Sequence, residues 1–234
     1  MPETILQVEN LHAYYGLSHI LFGVSLAVRE GQAVGLFGRN GMGKTTTMKS
    51  IMGIVPPESG TVDFRGEAIA GYEPHVIANR GVGYVPDDRR IFPYLTVLEN
   101  IQVARKKKEG RWTLDNIFGL FPHLEGLKNR KGGHLSGGEQ QMLTLARTLA
   151  GNPLMIILDE PFEGLAPLIV QDLAEKLLQI KKEGIAMLIS EQNISFACDL
   201  LDQVTIIEKG EIRYEGSFQD FQGNDPVQKT YLGV

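Results

Sequence analysis

The sequence predicts an α/β fold with a mostly parallel central sheet, an N-terminal antiparallel β subdomain and an inserted helical lobe. Three observations predict it. The apolar run QAVGLF delivers the chain directly into the glycine-rich segment GRNGMGKT, residues 38–45, after which TTTMKSIMG continues as a helix. The unbroken apolar runs LMIILDE and GIAMLIS read as strands buried on both faces, and the amphipathic stretch PLIVQDLAEKLLQIKKEG separates them as a crossover helix. Between Leu95 and about Leu149 the apolar spacing lengthens to three or four, as helices require.

Taken in order, ILQVENLHAYY, ILFGVSLAV and QAVGLF read as strands, punctuated by Gly16 and by Glu30-Gly31. PPESGTVDFRG is a turn followed by a short strand, and GVGYVP is a strand ended by Pro86. LTVLENIQVARKKK and LDNIFGLFPHL supply the helical pattern. QVTIIEKGEIRYEG reads as a hairpin turning at Lys209-Gly210. The expected organisation is one domain over 1–234. Segments 1–91 and 151–234 form its core with the β subdomain, and 92–150 forms the helical lobe.

Composition sets limits on function. With 23 basic and 28 acidic residues the formal charge is −5, which argues against a nucleic-acid partner that needs a basic surface. The single cysteine, Cys198, excludes an internal disulfide; in SFACDLL it reads as a buried thiol, and it suits a reducing compartment. The start, MPETILQVEN, lacks the basic and apolar regions of a secretory signal. The apolar runs fall short of the roughly 20 residues of a membrane span. A soluble, cytoplasmic protein is expected, with a membrane partner still open. The basic cluster Arg105-Lys106-Lys107-Lys108 invites a nucleic-acid or anionic-lipid reading, but a solvated helix end that complements the macrodipole is the favoured one.

The segment GRNGMGKT fits G-x-x-x-x-G-K-S/T without a mismatch. Gly38, Gly41 and Gly43 let backbone N–H groups turn toward a phosphate, with Arg39, Asn40 and Met42 completing the loop. Lys44 offers a charge to the terminal phosphates, Thr45 a hydroxyl to Mg²⁺, and Thr46 continues the first helical turn. These residues predict a bound nucleoside triphosphate. Asp159 closes the buried strand LMIILDEP, where it can hold Mg²⁺ directly or through water beside Thr45. Glu160 follows and can polarise a water for in-line attack. In LSGGEQQ, residues 135–141, Ser136 and Glu139 are spaced as a capping box, and Gly137-Gly138 opens the helix.

These three motifs resemble those of the ATP-binding cassette (ABC) ATPases in their order along the chain and in their spacing, and LSGGEQQ matches that family's signature in full; the resemblance covers essentially residues 4–234. It implies an ATPase whose cofactors are ATP and Mg²⁺. It also implies that Leu135, Ser136, Gly137, Gly138, Glu139 and Gln140 form the signature, with Ser136 and Gly138 reaching the γ-phosphate held by a second cassette. Tyr15, before Gly16, would stack on adenine.

Two departures from the family pattern stand out. Where the loop after GVGYVP usually offers a glutamine to the metal and the attacking water, this chain has Asp87. Where a histidine usually meets the γ-phosphate, it has Gln192, which can donate a hydrogen bond but carries no charge. Asp87 before RRIF, GLAP at Gly164–Pro167, the run Glu191-Gln192-Asn193 and the terminal YLG together resemble the second ATPase of branched-chain amino acid importers, with urea and short-chain amide importers near by. That resemblance implies a second ABC ATPase subunit and two membrane permeases fed by a periplasmic or extracellular solute-binding protein. It places the chain on the inner face of the membrane. The competing readings are a non-transport cassette, a kinase or GTPase, and a regulatory module that does not hydrolyse. No N-K-x-D base-reading motif is present, and Glu160 is intact.

Overall fold

Side-chain alternation along a few short strands divides the apolar residues between two cores, one on each side of a central sheet. The computed structural model describes residues 2–105, 110–194 and 199–231. In chain order the first elements are β1 (Thr4–Tyr15), β2 (Ser18–Arg29), β3 (Ala33–Phe37), α1 (Lys44–Ile51), β4 (Ser59–Phe64), β5 (Glu67–Ala68), α2 (Pro74–Arg80) and β6 (Val82–Val85). There follow α3 (Val97–Val103), α4 (Leu114–Leu120), α5 (Pro122–Gly126), a 3₁₀ turn at Gly132–His134 and α6 (Gly137–Ala150). The chain then runs through β7 (Met155–Asp159), α7 (Pro167–Lys182), β8 (Ala186–Glu191), β9 (Gln203–Glu208), β10 (Glu211–Ser217), α8 (Phe218–Gln222) and α9 (Asp225–Tyr231).

One sheet is antiparallel with order β2-β1-β4-β5; the other has order β10-β9-β3-β8-β7-β6 and is parallel except for β10. The expected architecture of a mostly parallel sheet beside an antiparallel one is therefore present. Ala33 and Phe37 of β3, Ile156 and Leu158 of β7, and Met187 and Ile189 of β8 face the core that also takes α6 and α7. Their neighbours Val34, Leu36, Met155, Ile157, Ala186 and Leu188 face the core shared with α1 and the antiparallel sheet. With both faces covered, these strands carry no polar stripe, which is why they read as continuous apolar runs.

The register brings the strand ends together. Phe37 pairs with Glu191 across β3 and β8, and Asp159 pairs with Ser190 across β7 and β8. The glycine-rich loop after β3, the carboxylates ending β7 and the SEQN segment ending β8 thus leave one edge side by side. This is the carboxyl edge, where open α/β sheets bind ligands.

The hairpin at Lys209-Gly210 forms as expected, both residues taking left-handed conformations (φ 52° and 78°) that suit a two-residue turn. The helices α2, α8 and α9 lie outside the sequence reading. Each spans seven residues or fewer, too short to display a period. Lys106–Lys108 and Cys198 lie outside the described residues. Arg105 follows the end of α3 and is exposed.

Between β6 and α3 the chain passes through two successive left-handed residues, Arg89 (φ 61°) and Arg90 (φ 43°). Such conformations are costly for residues with a Cβ. Side chains of α6 hold them in place. The Thr144 hydroxyl donates to Arg89 O at 2.8 Å, and the Arg147 guanidinium donates to Arg90 O at 2.7 Å and Arg89 O at 3.3 Å while lying over the Phe92 ring.

Candidate active site

The glycine-rich loop is shaped by close approach on one side and backbone sign on the other. A Cβ at Gly38 would sit 2.4 Å from the carbonyl oxygen of Ile207 in β9, so only glycine lets the loop pass. Gly43, at φ 111°, turns the chain into α1 in a conformation glycine tolerates best. The loop is also pinned to the β9–β10 turn. Gly210 N–H donates to Met42 O at 2.9 Å, and Lys209 N–H lies 3.3 Å from the Met42 sulfur. The helix α1 begins without a side-chain cap and without an acidic residue in its first turn. Its leading N–H groups and positive dipole end face the loop, as an anion requires. Arg39, Asn40 and Gly41 are exposed at the tip, whereas Thr46 is buried in the first turn of α1.

Lys44 is only 3% exposed. Its ammonium donates to Gly38 O at 2.8 Å and Arg39 O at 3.2 Å, and it lies 2.9 Å from Glu160 Oε1. The side chain expected to face a phosphate is thus folded over its own loop and paired with the residue expected to face water. Glu160 takes φ 46°, and its N–H donates to both the carbonyl and the hydroxyl oxygen of Ser190, each at 3.1 Å. That backbone turn separates the directions of Asp159 and Glu160.

Asp159 is fully buried and accepts three hydroxyls. Thr45 donates to Oδ1 at 3.0 Å, Ser190 to Oδ1 at 2.7 Å, and Tyr84 to Oδ2 at 3.1 Å. Burial raises the Asp159 carboxyl above its ordinary range, while the hydroxyl donors from Ser190 and Thr45 oppose the rise. Burial, and then the charge of Asp159, push the Tyr84 phenol upward, so it remains a donor. Thr45 and Asp159, expected from sequence to hold Mg²⁺ side by side, are hydrogen-bonded to each other. Ser190 and Tyr84 were missed as partners, although each was visible as a polar tip at the end of, or within, an apolar strand.

Asp87 is exposed and accepts from the N–H of Asp88 at 3.0 Å; its charge, without a hydrogen bond, raises Asp159. Gln192 follows β8, half-buried beside a cleft of about 580 Å³ lined by Phe162, Glu163, Leu165, Glu191 and residues of α7. Glu163 is raised by a hydrogen bond with Glu160 and then by the charge of Glu160, a neighbour that sequence reading did not supply. Tyr15 is 49% exposed at the end of β1, ahead of Gly16 at φ 58°.

The signature segment stands apart from this cluster. Ser136 caps α6 in a complete capping box, its oxygen accepting from Glu139 N–H at 3.3 Å and Glu139 Oε2 accepting from Ser136 N–H at 2.7 Å. Such a cap stabilises a helix by about 1 kcal/mol. Glu139 also contacts His123 Nε2 at 2.8 Å, and the Gln140 amide donates to the carbonyls of Leu135 and Gly132. Gly138 leaves room for Ile169 of α7, since a Cβ there would meet its Cγ2 at 2.9 Å; Gly137 similarly borders Arg89. The hydrogen bonds made by residues 135–140 stay among residues 123–144, and none of them reaches the phosphate loop at 38–45.

Residues 21–163 match the ABC transporter family. The chain belongs to that family. This ABC ATPase is 34% identical over 232 residues to the high-affinity branched-chain amino acid transport ATP-binding protein BraG of Pseudomonas aeruginosa, covering 98% of this chain and 100% of that protein. It is also 34% identical over 236 residues to the lipopolysaccharide export system ATP-binding protein LptB of Haemophilus influenzae, covering 98% of each. A crystal structure of a nucleotide-free ATP-binding cassette from an ABC transporter superposes with a TM-score of 0.84 at 28% identity, covering 99% of both chains. The cassette binds and hydrolyses ATP, the activity of its family. Among its described residues no helix is long and apolar enough to cross a membrane.

Proposed function

We propose that this cassette is the ATP-hydrolysing subunit of an importer for branched-chain amino acids. The observation that carries the hydrolytic part is the convergence of the phosphate loop and the β7 end through Thr45–Asp159 at 3.0 Å and Lys44–Glu160 at 2.9 Å. In this reading Gly38, Arg39, Asn40, Gly41, Met42, Gly43, Lys44, Thr45 and Thr46 hold the phosphates, and Tyr15 stacks on the adenine. Glu160 accepts a proton from the attacking water and Gln192 donates to the γ-phosphate. ATP entry requires Lys44 to exchange Glu160 for phosphate oxygens, which frees the Glu160 carboxylate to meet water.

Mg²⁺ fits the residues present. The Thr45 hydroxyl and the Asp159 carboxylate are adjacent hard oxygen donors, and a magnesium site commonly takes one or two protein oxygens and completes itself with water and phosphate. When bound, the ion would neutralise charge on the β- and γ-phosphates. Asp87 would join from the exposed side.

Segments 1–91 and 151–234 then form the nucleotide-binding core, and 92–150 forms the lobe bearing the signature. Two cassettes pair head to tail, so that Ser136 and Gly138 of each complete the site of the other. The separation of residues 135–140 from the phosphate loop within one chain supports this pairing. Permeases hold the dimer on the cytoplasmic face, and a solute-binding protein delivers cargo to them.

The importer reading rests on Gly164–Pro167, the Glu191-Gln192-Asn193 run and the likeness to BraG. The equal identity to LptB supports a second reading, a lipid-exporting cassette. Urea or short-chain amide import and a regulatory, non-transport role are the remaining alternatives. Uptake of labelled leucine by cells lacking this chain decides the matter. Loss of uptake, restored by the intact chain and not by Glu160→Gln, is expected; undiminished uptake removes the amino-acid assignment.

A further inference from the structure

Glu191 is a buried carboxylate, 6% exposed, for which the mechanism above has no use. It ends β8, one residue before Gln192 and opposite Phe37 in the register. Its two oxygens go to different segments. Oε1 accepts from the N–H of Phe162 at 3.0 Å, and Oε2 accepts from the N–H of Gln192 at 3.2 Å. Phe162 lies two residues beyond Glu160, and the intervening Pro161 has no N–H to donate. The Phe162 N–H is therefore the next backbone donor after that of Glu160. Ser190 already holds the Glu160 N–H, so adjacent residues of β8 secure both donors of the loop that presents the Glu160 carboxylate.

We infer that Glu191 is a positioning residue for hydrolysis, tying the loop that carries Glu160 to the residue that faces the γ-phosphate so that the two move as one unit. This rests on the roles proposed for Glu160 and Gln192. The physical reason lies in acceptor geometry. A carboxyl group, ionised or neutral, offers acceptor lone pairs at each oxygen, whereas an amide offers one acceptor and turns an NH₂ donor toward the other N–H. A buried N–H left without an acceptor is costly, and the loop relaxes to relieve it. Because Glu160 holds a left-handed conformation, relaxation at Phe162 alters where its carboxylate points. Gln192 loses its anchor at the same moment.

The test is steady-state phosphate release by the purified full chain at saturating Mg-ATP, for wild type, Glu191→Gln, Gln192→Ala, the double variant and Glu160→Gln. Thermal unfolding confirms that each is folded. The near-isosteric Glu191→Gln is expected to lower kcat about tenfold while leaving KM for ATP within about twofold, the split shown by a group acting on the reacting geometry and not on binding. In that background Gln192→Ala is expected to cost nothing further, because residues acting as a unit are not additive. Full kcat in Glu191→Gln alongside an inactive Glu160→Gln overturns the inference and leaves the hydrolytic reading standing. Independent, multiplying losses also overturn it, as does a Gln192→Ala chain with undiminished hydrolysis, since one end of the tie then carries no function. Full activity in Glu160→Gln strikes the hydrolytic reading itself, and with it the loop to be positioned.

Discussion

The ammonium of Lys44 is shared between the loop it belongs to and a carboxylate from another strand, 2.8 Å from Gly38 O and 2.9 Å from Glu160 Oε1. The cation proposed for phosphate and the carboxylate proposed for water pair with each other while both are nearly buried. An ion pair of this kind avoids the cost of two unpaired charges. If Lys44 takes its proposed role, the pair also sets a condition on turnover, because a triphosphate would have to displace Glu160 from Lys44.

Removing either partner is expected to slow hydrolysis, but only one of the two variants should lose ATP binding. Lys44→Ala is expected to weaken ATP binding by roughly tenfold or more through loss of a charge-assisted contact, and to slow hydrolysis further. Glu160→Gln releases Lys44 and is expected to preserve ATP binding while slowing hydrolysis about 10²-fold or more. Calorimetric titration with ATP, followed by phosphate release, separates the two; equal affinity in Lys44→Ala and wild type contradicts the assignment.

Gln192 stands where a charged donor would be stronger. In its proposed role the amide would give the γ-phosphate a neutral hydrogen bond, about half the strength of an ionised one. Gln192→Ala is expected to slow single-turnover hydrolysis at this phosphate loop, and Gln192→His to match or exceed wild type. The measurement needs the partner cassette's own catalytic carboxylate removed, so that only this site turns over. A fully active Gln192→Ala marks the position as a passive strand end.

The pH dependence of stability isolates Glu191. Burial pushes its carboxyl up to about 7 from an ordinary 4.5, while the N–H donors of Phe162 and Gln192 and the charge of Lys44 pull the other way and Glu160 adds to the rise. The folded chain thus holds this proton more tightly than the unfolded chain. Its contribution is present in full below about pH 4.5 and is lost as pH rises through about 7. Glu191→Gln has no proton to lose. Its stability relative to wild type is expected to increase between about pH 4.5 and 7, by roughly 3 kcal/mol at 1.36 kcal/mol per pKa unit. Urea unfolding of both proteins across that window checks the slope; parallel profiles refute it.

What the sequence revealed followed from local rules. The loop at 38–45 is written in glycines and a lysine whose spacing is itself the structure, and β7 and β8 are apolar because both faces are covered. Ser136 and Glu139 announce their capping box three residues apart. The partners of Asp159 were harder to read. Thr45 was legible through its motif, but Ser190 and Tyr84 reach Asp159 only because β8 and β6 flank β7, an adjacency no local pattern encodes. The Lys44–Glu160 pair was hidden for a related reason, since each residue was interpreted by its ligand and not by its neighbour. Glu191 sat in plain view within the SEQN segment, but its donor, the Phe162 N–H, arrives from another strand's loop.

The two left-handed arginines before α3 carry a mechanical consequence. Arg89 and Arg90 are fastened by Thr144 and Arg147, and all of these fasteners belong to α6, the helix that Ser136 caps. Thr148 of the same helix donates to Tyr84 O at 3.3 Å in β6, and the Tyr84 hydroxyl donates to Asp159. The signature helix, the Asp87–Phe92 segment and the carboxylate beside Thr45 are thereby joined by a run of direct contacts that leaves out the phosphate loop.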